Sequence, residues 1–206
     1  MLKDPETYLD YTHLLPLFDK AKMVIDDLNL SYVEELLLSD VLIGSDDETW
    51  FKVKVKDGKQ YYRSNSADEQ QVEILSDGKE VSWLLINLFD SSWSTETKIN
   101  RFLESKFDEV IKYAKDLPGV NNLCVHIAKP NTLIQAHCDY SSDDNFMNLV
   151  MVLRADGSLL TVDKQKHSLN TGKIFLFDAS YEHSVDNAAD VEFIVLALRI
   201  YKNFIK

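Results

Sequence analysis

Two histidines and one aspartate, His137, Asp139 and His183, are the residues of this chain whose types and spacing could perform chemistry. His137 and Asp139 lie at the end of an expected strand, where side chains two residues apart point to the same face, and His183 begins a later one. Two imidazoles and one carboxylate on one face of a metal ion leave three positions open, which suits iron(II) with O₂ and an organic co-substrate. Structural zinc prefers four closed ligands, commonly thiolates, so the sequence favours a catalytic iron.

The same residues have a simpler interpretation, because a His-x-Asp pair is common in proteins. In that interpretation the pair belongs to a surface turn, and His183 is a rim histidine with satisfied hydrogen bonds. Asp178 and Ser180 precede His183, and we expect them to shape the turn and orient its imidazole. Cys138 should point away from the metal and pack, since no base accompanies it to make it a nucleophile.

The elements that position these residues lie after Pro118-Gly119, where the sequence has the pattern of short strands. The expected strands are 122–128, 133–139, 146–154, 158–163, 173–178, 183–186 and 191–200. Asp156-Gly157 and a Thr-Gly pair supply turns between them. Seven or so short strands at this spacing predict a β-barrel or a β-sandwich.

Helices and a hairpin come before these strands. Apolar residues recur at helical spacing behind Pro16, which suits a first helical position, and Ser31 and Glu34 have capping-box spacing. The alternation over residues 51–55, followed by an Asp-Gly pair, predicts a β-hairpin. The other expected elements are a buried strand over 80–89 and a helix over 99–114. We expect the helices to pack against one outer face of the barrel.

The composition is that of an ordinary globular protein of 206 residues, with 45% hydrophobic and 27% charged residues. A net charge of −12 without a basic patch argues against a nucleic-acid partner. The chain has neither the run of about 18 apolar residues that a membrane span needs nor a signal-peptide pattern, so no membrane partner is expected. Two cysteines do not make a disulfide framework. These features predict a cytoplasmic protein and permit a small-molecule or cationic substrate, with the oligomeric state left open.

Two blocks, 117–138 and 170–187, resemble the aspartyl/asparaginyl β-hydroxylase family. The first block has a Pro-Gly turn and then a strand that ends in His-Cys. The second has a Gly-Lys pair and then a Phe-Asp-x-Ser-x-x-His-x-Val run that contains the distal histidine, His183. The spacing between the two histidines also matches the family without a gap. The resemblance covers residues from about 115 to 200, and the first hundred residues show none.

The resemblance implies a mainly β fold with N-terminal helices, namely a double-stranded β-helix, also called a jelly-roll or cupin-like barrel. We expect a single domain over 1–206, with a helical and mixed support region at 1–115 and the barrel core with the metal site at 116–206. The family further implies iron(II) on the three ligands and 2-oxoglutarate and O₂ as co-substrates. Its members hydroxylate amino-acid or peptidyl side chains, with the metal performing the redox step.

The chain departs from the family pattern in the ligands and in the co-substrate anchor. Many members have glycine at the second ligand position, whereas Asp139 completes a three-ligand site here. About ten residues after the distal histidine, the family has an arginine that pairs with the far carboxylate of 2-oxoglutarate, but this chain has Phe193. The family also has a basic residue on the strand after the first histidine, where this chain has Phe146 and Asn148. These departures favour the metal and disfavour the usual grip on 2-oxoglutarate.

Asn148 and Arg199 are the remaining candidates for binding a co-substrate. Arg199 lies six residues after Phe193, on the same face of the last strand. Because six residues of strand span about 20 Å, Arg199 should not replace the missing arginine without a register shift. It would either contact a substrate carboxylate near the mouth or form an ion pair with an acidic residue at the rim.

Other polar residues near the predicted site are given structural roles. Arg154 is expected to be a solvated turn arginine, His126 a core or rim histidine, and His167 an exposed one. Tyr140 and Tyr181 flank the ligands and either line the substrate pocket or pack.

Three functions therefore stay open. The first is an iron(II)/2-oxoglutarate hydroxylase, and the second is an iron oxygenase on the same barrel that does not use 2-oxoglutarate or anchors it unusually. The third is a non-catalytic binding protein whose metal site is silent or structural.

Overall fold

A computed structural model describes the backbone over residues 14–33, 50–56, 59–64, 71–75, 81–90, 98–139 and 145–205. The helices are α1 (Leu14–Asp27) and α2 (Lys98–Asp116), with a helical turn over 30–33 and a 3₁₀ helix at Lys202–Phe204. The strands are β1 (Trp50–Lys56), β2 (Lys59–Ser64), β3 (Gln71–Leu75), β4 (Val81–Asp90), β5 (Val120–Ala128), β6 (Thr132–His137), β7 (Phe146–Arg154), β8 (Asp156–Val162), β9 (Gln165–Asn170), β10 (Ile174–Phe177), β11 (His183–Asn187) and β12 (Phe193–Tyr201).

Two antiparallel sheets face each other across an apolar core. The larger sheet has the order β1-β2-β3-β4-β5-β12-β7-β10, and the smaller has the order β6-β11-β8-β9. Side chains from both sheets meet in one buried cluster, to which the larger sheet gives Phe193 and Val195 and the smaller gives Ile134, Leu160 and Val185. This pairing of a large and a small sheet around one lumen is a jelly-roll barrel, so the predicted mainly β, double-stranded β-helix fold is confirmed.

Strand β12 shows why the barrel strands have almost continuous runs of apolar residues in the sequence. Its residues alternate between the two faces of the sheet, so that Phe193 and Val195 point into the lumen while Ile194 and Leu196 point outward. The outward face is covered by helices, through α1 residues such as Leu17 and through α2 residues such as Phe107 and Ala114. The helices therefore pack against one outer face, as predicted. Neither described helix is both long enough and apolar enough to cross a membrane.

The strand β9 was not predicted, because it is polar apart from Leu169, which is buried. It is joined to β8 by the two residues Asp163 and Lys164, whose φ angles are 46° and 66°. Positive φ at both central residues is the type I′ geometry that forms two-residue hairpins. The sequence lacks the Asn-Gly or Asp-Gly signal that usually marks such a turn, so the hairpin is not among the elements predicted from the sequence.

The larger sheet also runs across the expected boundary between support region and core. Strands β1 to β4 all precede residue 116, yet β4 pairs with β5 from Trp83↔Ala128 to Asp90↔Asn122 and so continues the barrel sheet. Trp83 of β4 lines the barrel lumen. The predicted capping box reaches Glu34, which lies outside the described residues.

Candidate metal centre

The two histidines are brought together by strand pairing. Strand β6 ends at His137 and β11 begins at His183, and these two residues are direct partners in the antiparallel register. Their ring centroids are 4.3 Å apart. Asp139 follows β6, and its backbone N–H donates to the carbonyl of Ala179 in the turn before β11, at 3.0 Å. The fold thus places all three predicted ligands at one end of the barrel.

The donor atoms of the three residues form a compact group. Asp139 Oδ1 lies 3.4 Å from His137 Nε2 and 3.7 Å from His183 Nε2, and all three ligand atoms lie within 4.8 Å of one another. Atoms that bind one metal ion at about 2.1 Å and at right angles lie roughly 3 Å apart. Small side-chain rotations would bring the observed group to that spacing, so the geometry can hold a metal on one face.

Backbone carbonyls fix the orientation of both imidazoles. His137 Nδ1 lies 2.7 Å from the carbonyl of Gln135, and His183 Nδ1 lies 3.0 Å from that of Tyr181. A carbonyl only accepts hydrogen bonds, so each Nδ1 must carry the proton and donate. Each neutral ring therefore presents the Nε2 lone pair to the shared site, which is the arrangement that metal-binding histidines normally show. The donor set and its supports fit an iron(II) ion.

Asn148 orients the carboxylate. It lies on β7, and its side-chain Nδ2 donates to Asp139 Oδ2 at 2.9 Å. Because Oδ2 is held in this way, Oδ1 is the oxygen that faces both histidines. The structure therefore gives Asn148, predicted as a co-substrate residue, a direct contact with a candidate ligand.

Burial and mutual charge set the protonation of the three residues. Burial disfavours the charged form of Asp139, but the hydrogen bond from His137 and the charges of the histidines outweigh it and lower the Asp139 pKa to about 2. Burial likewise opposes the charged form of His137, but the hydrogen bonds to Asp139 and to the Gln135 carbonyl raise its pKa above the usual value. The pKa of His183 is lowered, mainly by burial. The Asp139 carboxylate is therefore ionised at neutral pH, and a proton is favoured on His137 over His183.

The three ligands line the upper part of a partly open cavity of about 60 Å³ in the barrel. Most of its lining is apolar or aromatic, and the lining residues are Trp83, His126, Ile134, His137, Asp139, Asn148, Val150, Leu160, Leu169, Phe175, Phe177, His183, Val185, Phe193, Val195 and Ala197. None of these described residues is a lysine or an arginine. Burial lowers the pKa of His126 to about 4, so this histidine is neutral at pH 7.

Phe193 and Arg199, the two residues of β12 discussed above as positions for binding a co-substrate, lie at opposite ends of that strand. Phe193 lines the cavity and is 3% exposed. Arg199 pairs in register with Asn148 of β7 and so stands beside the metal site at the mouth. Its guanidinium lies over the ring of Phe146, 5.6 Å from the centroid. Among the described residues no ion pair joins Arg199 to an acidic side chain.

The structure also shows the surroundings of most of the other polar residues to which the sequence assigned a role. Asp178 Oδ1 accepts hydrogen bonds from the backbone N–H and the hydroxyl of Ser180, so these two residues do shape the turn. Arg154 forms ion pairs with acidic residues of α1 and of the loop before β12. Cys138 is exposed, so the expectation that it packs is wrong: the strand ends at His137 and the next residue projects into solvent. Tyr140 lies outside the described residues.

Two further residues contribute to the site without having been singled out. Trp83 has a buried indole Nε1 with no hydrogen-bond partner in the described structure, and its ring centroid lies 6.4 Å from that of His137. Gln135 acts only through its backbone carbonyl, which leaves no signal in the sequence. Trp83 lies in the apolar run over 80–89, but the sequence does not say which face of that strand turns inward.

His167, expected to be exposed, is half-buried, and its Nε2 is shielded from solvent.

Comparison with known proteins identifies one family. The family profile described as aspartyl/asparaginyl beta-hydroxylase matches residues 47–203. No curated protein sequence gives a significant match.

Solved structures show a distant resemblance to cupin-like proteins. The cupin domain of an XRE-family transcriptional regulator from Enterobacter cloacae has 13% identity and a TM-score of 0.39 over 58% of this chain and 97% of that one. A protein described as a predicted oxalate decarboxylase from Thermotoga maritima has 10% identity and a TM-score of 0.38 over 76% and 96%. Similarity at this level says nothing about function.

Proposed function

Because the chain belongs to the aspartyl/asparaginyl beta-hydroxylase family, we propose that it is a non-haem iron(II)-dependent hydroxylase of amino-acid or peptidyl side chains. The observation that carries the proposal is the group His137, Asp139 and His183, with both histidine Nε2 lone pairs and one carboxylate oxygen converging on one point. A surface turn would not need both imidazoles to be held by backbone carbonyls. The alternative of a rim histidine is also disfavoured, since His183 is buried against its partner histidine.

Each residue of the site has a distinct task in this proposal. His137, Asp139 and His183 would hold the iron, which supplies the activation of O₂ for insertion into a C–H bond. Asn148 keeps the Asp139 carboxylate turned toward the histidines. Three protein ligands leave three positions for O₂ and an organic co-substrate. The apolar walls below would give a bound co-substrate a largely non-polar surrounding.

The substrate is proposed to approach from the mouth of the barrel, where polar groups are concentrated. Arg199 stands there beside Asn148 and can receive a substrate carboxylate through its planar guanidinium. Tyr181 is half exposed on the turn before His183. An amino acid or a peptide side chain with an acidic group would match this rim.

The family resemblance predicts 2-oxoglutarate as the co-substrate, but the described lumen does not fit its second carboxylate. Phe193 lines the cavity at the position where the family resemblance predicts an arginine, and a buried carboxylate without a cationic partner is strongly disfavoured. We therefore assign no step to 2-oxoglutarate. The presence of Phe193 in place of that arginine also favours the second candidate function, an iron oxygenase of this fold that does not use 2-oxoglutarate.

The metal assignment is tested by anaerobic equilibrium dialysis with iron(II). Wild-type protein should bind one iron per chain, and H183A and D139A should lose at least most of that affinity. D186A is the matched control for the carboxylate, because Asp186 is an exposed residue of β11, and H167Q is the control for a histidine outside the triad. If H183A binds iron as wild type does, the site assignment is wrong.

The hydroxylase assignment is tested separately, on iron-loaded protein in air. Wild-type protein is incubated with 2-oxo acids and with free amino acids or peptides, and the products are examined by mass spectrometry for the gain of one oxygen atom. Hydroxylation should depend on iron and disappear in H183A. Iron binding without any hydroxylated product across these substrate classes would contradict the catalytic proposal while leaving the metal site intact.

A further inference from the structure

We propose that the cavity beneath the triad takes a monocarboxylic 2-oxo acid with a short apolar side chain, in place of 2-oxoglutarate. This inference rests on the proposed iron-dependent function and names the class of its co-substrate. A 2-oxo acid binds a metal through its carboxylate and its keto oxygen, whatever the rest of the molecule is. The residues that line the cavity therefore determine which side chain of the oxo acid can fit.

The walls of the cavity are suited to a hydrocarbon group. Phe193, Val195 and Ala197 of β12 enter from the larger sheet, and Leu160 and Leu169 enter from the smaller one. The space of about 60 Å³ corresponds to roughly four water molecules, since each needs about 15 Å³ of such volume. A branched side chain of four carbons would occupy that space and release the water from apolar walls.

Among the described residues, no lysine or arginine lines the cavity. Arg199 stands six residues from Phe193 along β12, about 20 Å away, at the end occupied by the metal ligands. Arg154 is already paired with Asp26 and Glu192. A dicarboxylate would thus bury one charge against aromatic and aliphatic groups, which a monocarboxylate avoids.

Trp83 offers an independent sign that the lumen receives a ligand. Its indole Nε1 is buried and lacks a partner in the described structure, although buried tryptophan N–H groups usually find one. Trp83 lines the cavity near His126 and His137. A single neutral N–H can donate to an oxygen of a bound oxo acid, but it does not neutralise a carboxylate.

The reaction balances with a 2-oxo acid of any side chain. The bond between C1 and C2 of the oxo acid breaks and releases CO₂, and C2 becomes the carboxylate of an acid one carbon shorter. One atom of O₂ enters that carboxylate, and the other enters the substrate C–H bond to give C–OH. The oxo acid supplies two electrons and the C–H bond supplies two, which together reduce O₂. Co-substrates of this class are formed by transamination of apolar amino acids.

The test compares three oxo acids on the iron-loaded protein under anaerobic conditions. 4-Methyl-2-oxopentanoate, pyruvate and 2-oxoglutarate are titrated separately, and the visible charge-transfer band of the iron–oxo acid chelate is measured. 4-Methyl-2-oxopentanoate should bind roughly 10- to 100-fold more tightly than pyruvate, because it buries three more carbons, and more tightly than 2-oxoglutarate. Equal or tighter binding of 2-oxoglutarate would overturn the proposal, and so would the lack of a band with all three acids.

Two variants of Phe193 probe the same preference. F193R should shift selectivity toward 2-oxoglutarate, whereas F193L should keep the preference for the apolar acid. Because an arginine in this core can unfold the barrel, the inference is also tested on the wild-type protein, by the titration above and by a product assay.

In the product assay, run in air, oxo acids labelled at C1 should release labelled CO₂, and 4-methyl-2-oxopentanoate should yield 3-methylbutanoate. Its failure to do so while 2-oxoglutarate yields succinate would refute the inference.

The outcomes separate this inference from the proposed function. If the protein binds no iron, or if H183A binds it as well as wild type does, the proposed function fails. If iron binds at the triad and 2-oxoglutarate forms the tighter chelate, the hydroxylase assignment stands and only the co-substrate class is wrong.

Discussion

Replacing Asn148 by leucine should weaken iron binding although Asn148 does not touch the metal. The change keeps the side-chain shape but removes the N–H that donates to Asp139 Oδ2 at 2.9 Å. The carboxylate would then be free to rotate, and its Oδ1 would no longer be held toward the histidines. Leucine also leaves Oδ2 facing an apolar group, which disfavours the ionised form that binds iron.

The size of this effect follows from the hydrogen bond. A hydrogen bond to a charged group contributes about 1.5–3 kcal/mol, and the lower half of that range applies here because Asp139 is one-third exposed. Since about 1.4 kcal/mol corresponds to a factor of ten, iron affinity should fall roughly 10- to 40-fold. Loss of an outer partner of a metal ligand typically has an effect of 10- to 100-fold, so the two estimates agree.

The assay is competition for iron(II) against a chelator of known affinity, under anaerobic conditions. N203A is the control, because Asn203 is exposed in the terminal 3₁₀ helix. Circular dichroism should show that N148L remains folded. If N148L binds iron as tightly as wild type and N203A do, the contact does not orient the carboxylate, and the role assigned to Asn148 is wrong.

Three further predictions concern pH, the carboxylate ligand and stability. The pKa of His137 is raised in the metal-free protein, so a proton competes with iron for Nε2. The affinity for iron(II) should therefore rise with pH, reach a plateau above that pKa and fall below it. An iron affinity that does not change between pH 6 and 8 would contradict this. D139A should lower the pKa of His137 in the metal-free protein, because the hydrogen bond to Asp139 that raises it is lost; NMR titration of the imidazoles measures this, and an unchanged His137 pKa would contradict it. N187A should destabilise the fold by about 2–4 kcal/mol, because the fully buried Asn187 joins Ser158 to the carbonyls of Lys129 and Val191; urea unfolding measures it, and a loss below 1 kcal/mol would count against it.

The sequence predicts the barrel strands well wherever both faces are covered. Strand β7 was predicted over 146–154, and the structure has it at Phe146–Arg154, because every residue of such a strand can be apolar. The polar edge strand β9 was missed for the converse reason, since its outer positions are solvated and its turn uses Asp163 and Lys164 at positive φ.

The three candidate ligands could be named from the sequence because their spacing follows strand geometry. A His-x-Asp at a strand end places both side chains on one face, and the register His183↔His137 adds the third. The supports could not be named, because the carbonyls of Gln135 and Tyr181 act through the backbone. Trp83 was also missed, since its inward direction depends on how β4 pairs with β5.

Asp139 is better explained as a built-in ligand than as a chance acid at the mouth. Its backbone N–H is tied to Ala179, and its outer oxygen is held by Asn148, so its inner oxygen has little freedom to leave the histidines. A carboxylate held against two imidazoles raises the pKa of His137 in the metal-free protein, which favours a positive charge at this point. A divalent cation would supply that charge with better geometry than a proton does. The contacts that orient Asp139 therefore favour an occupied site.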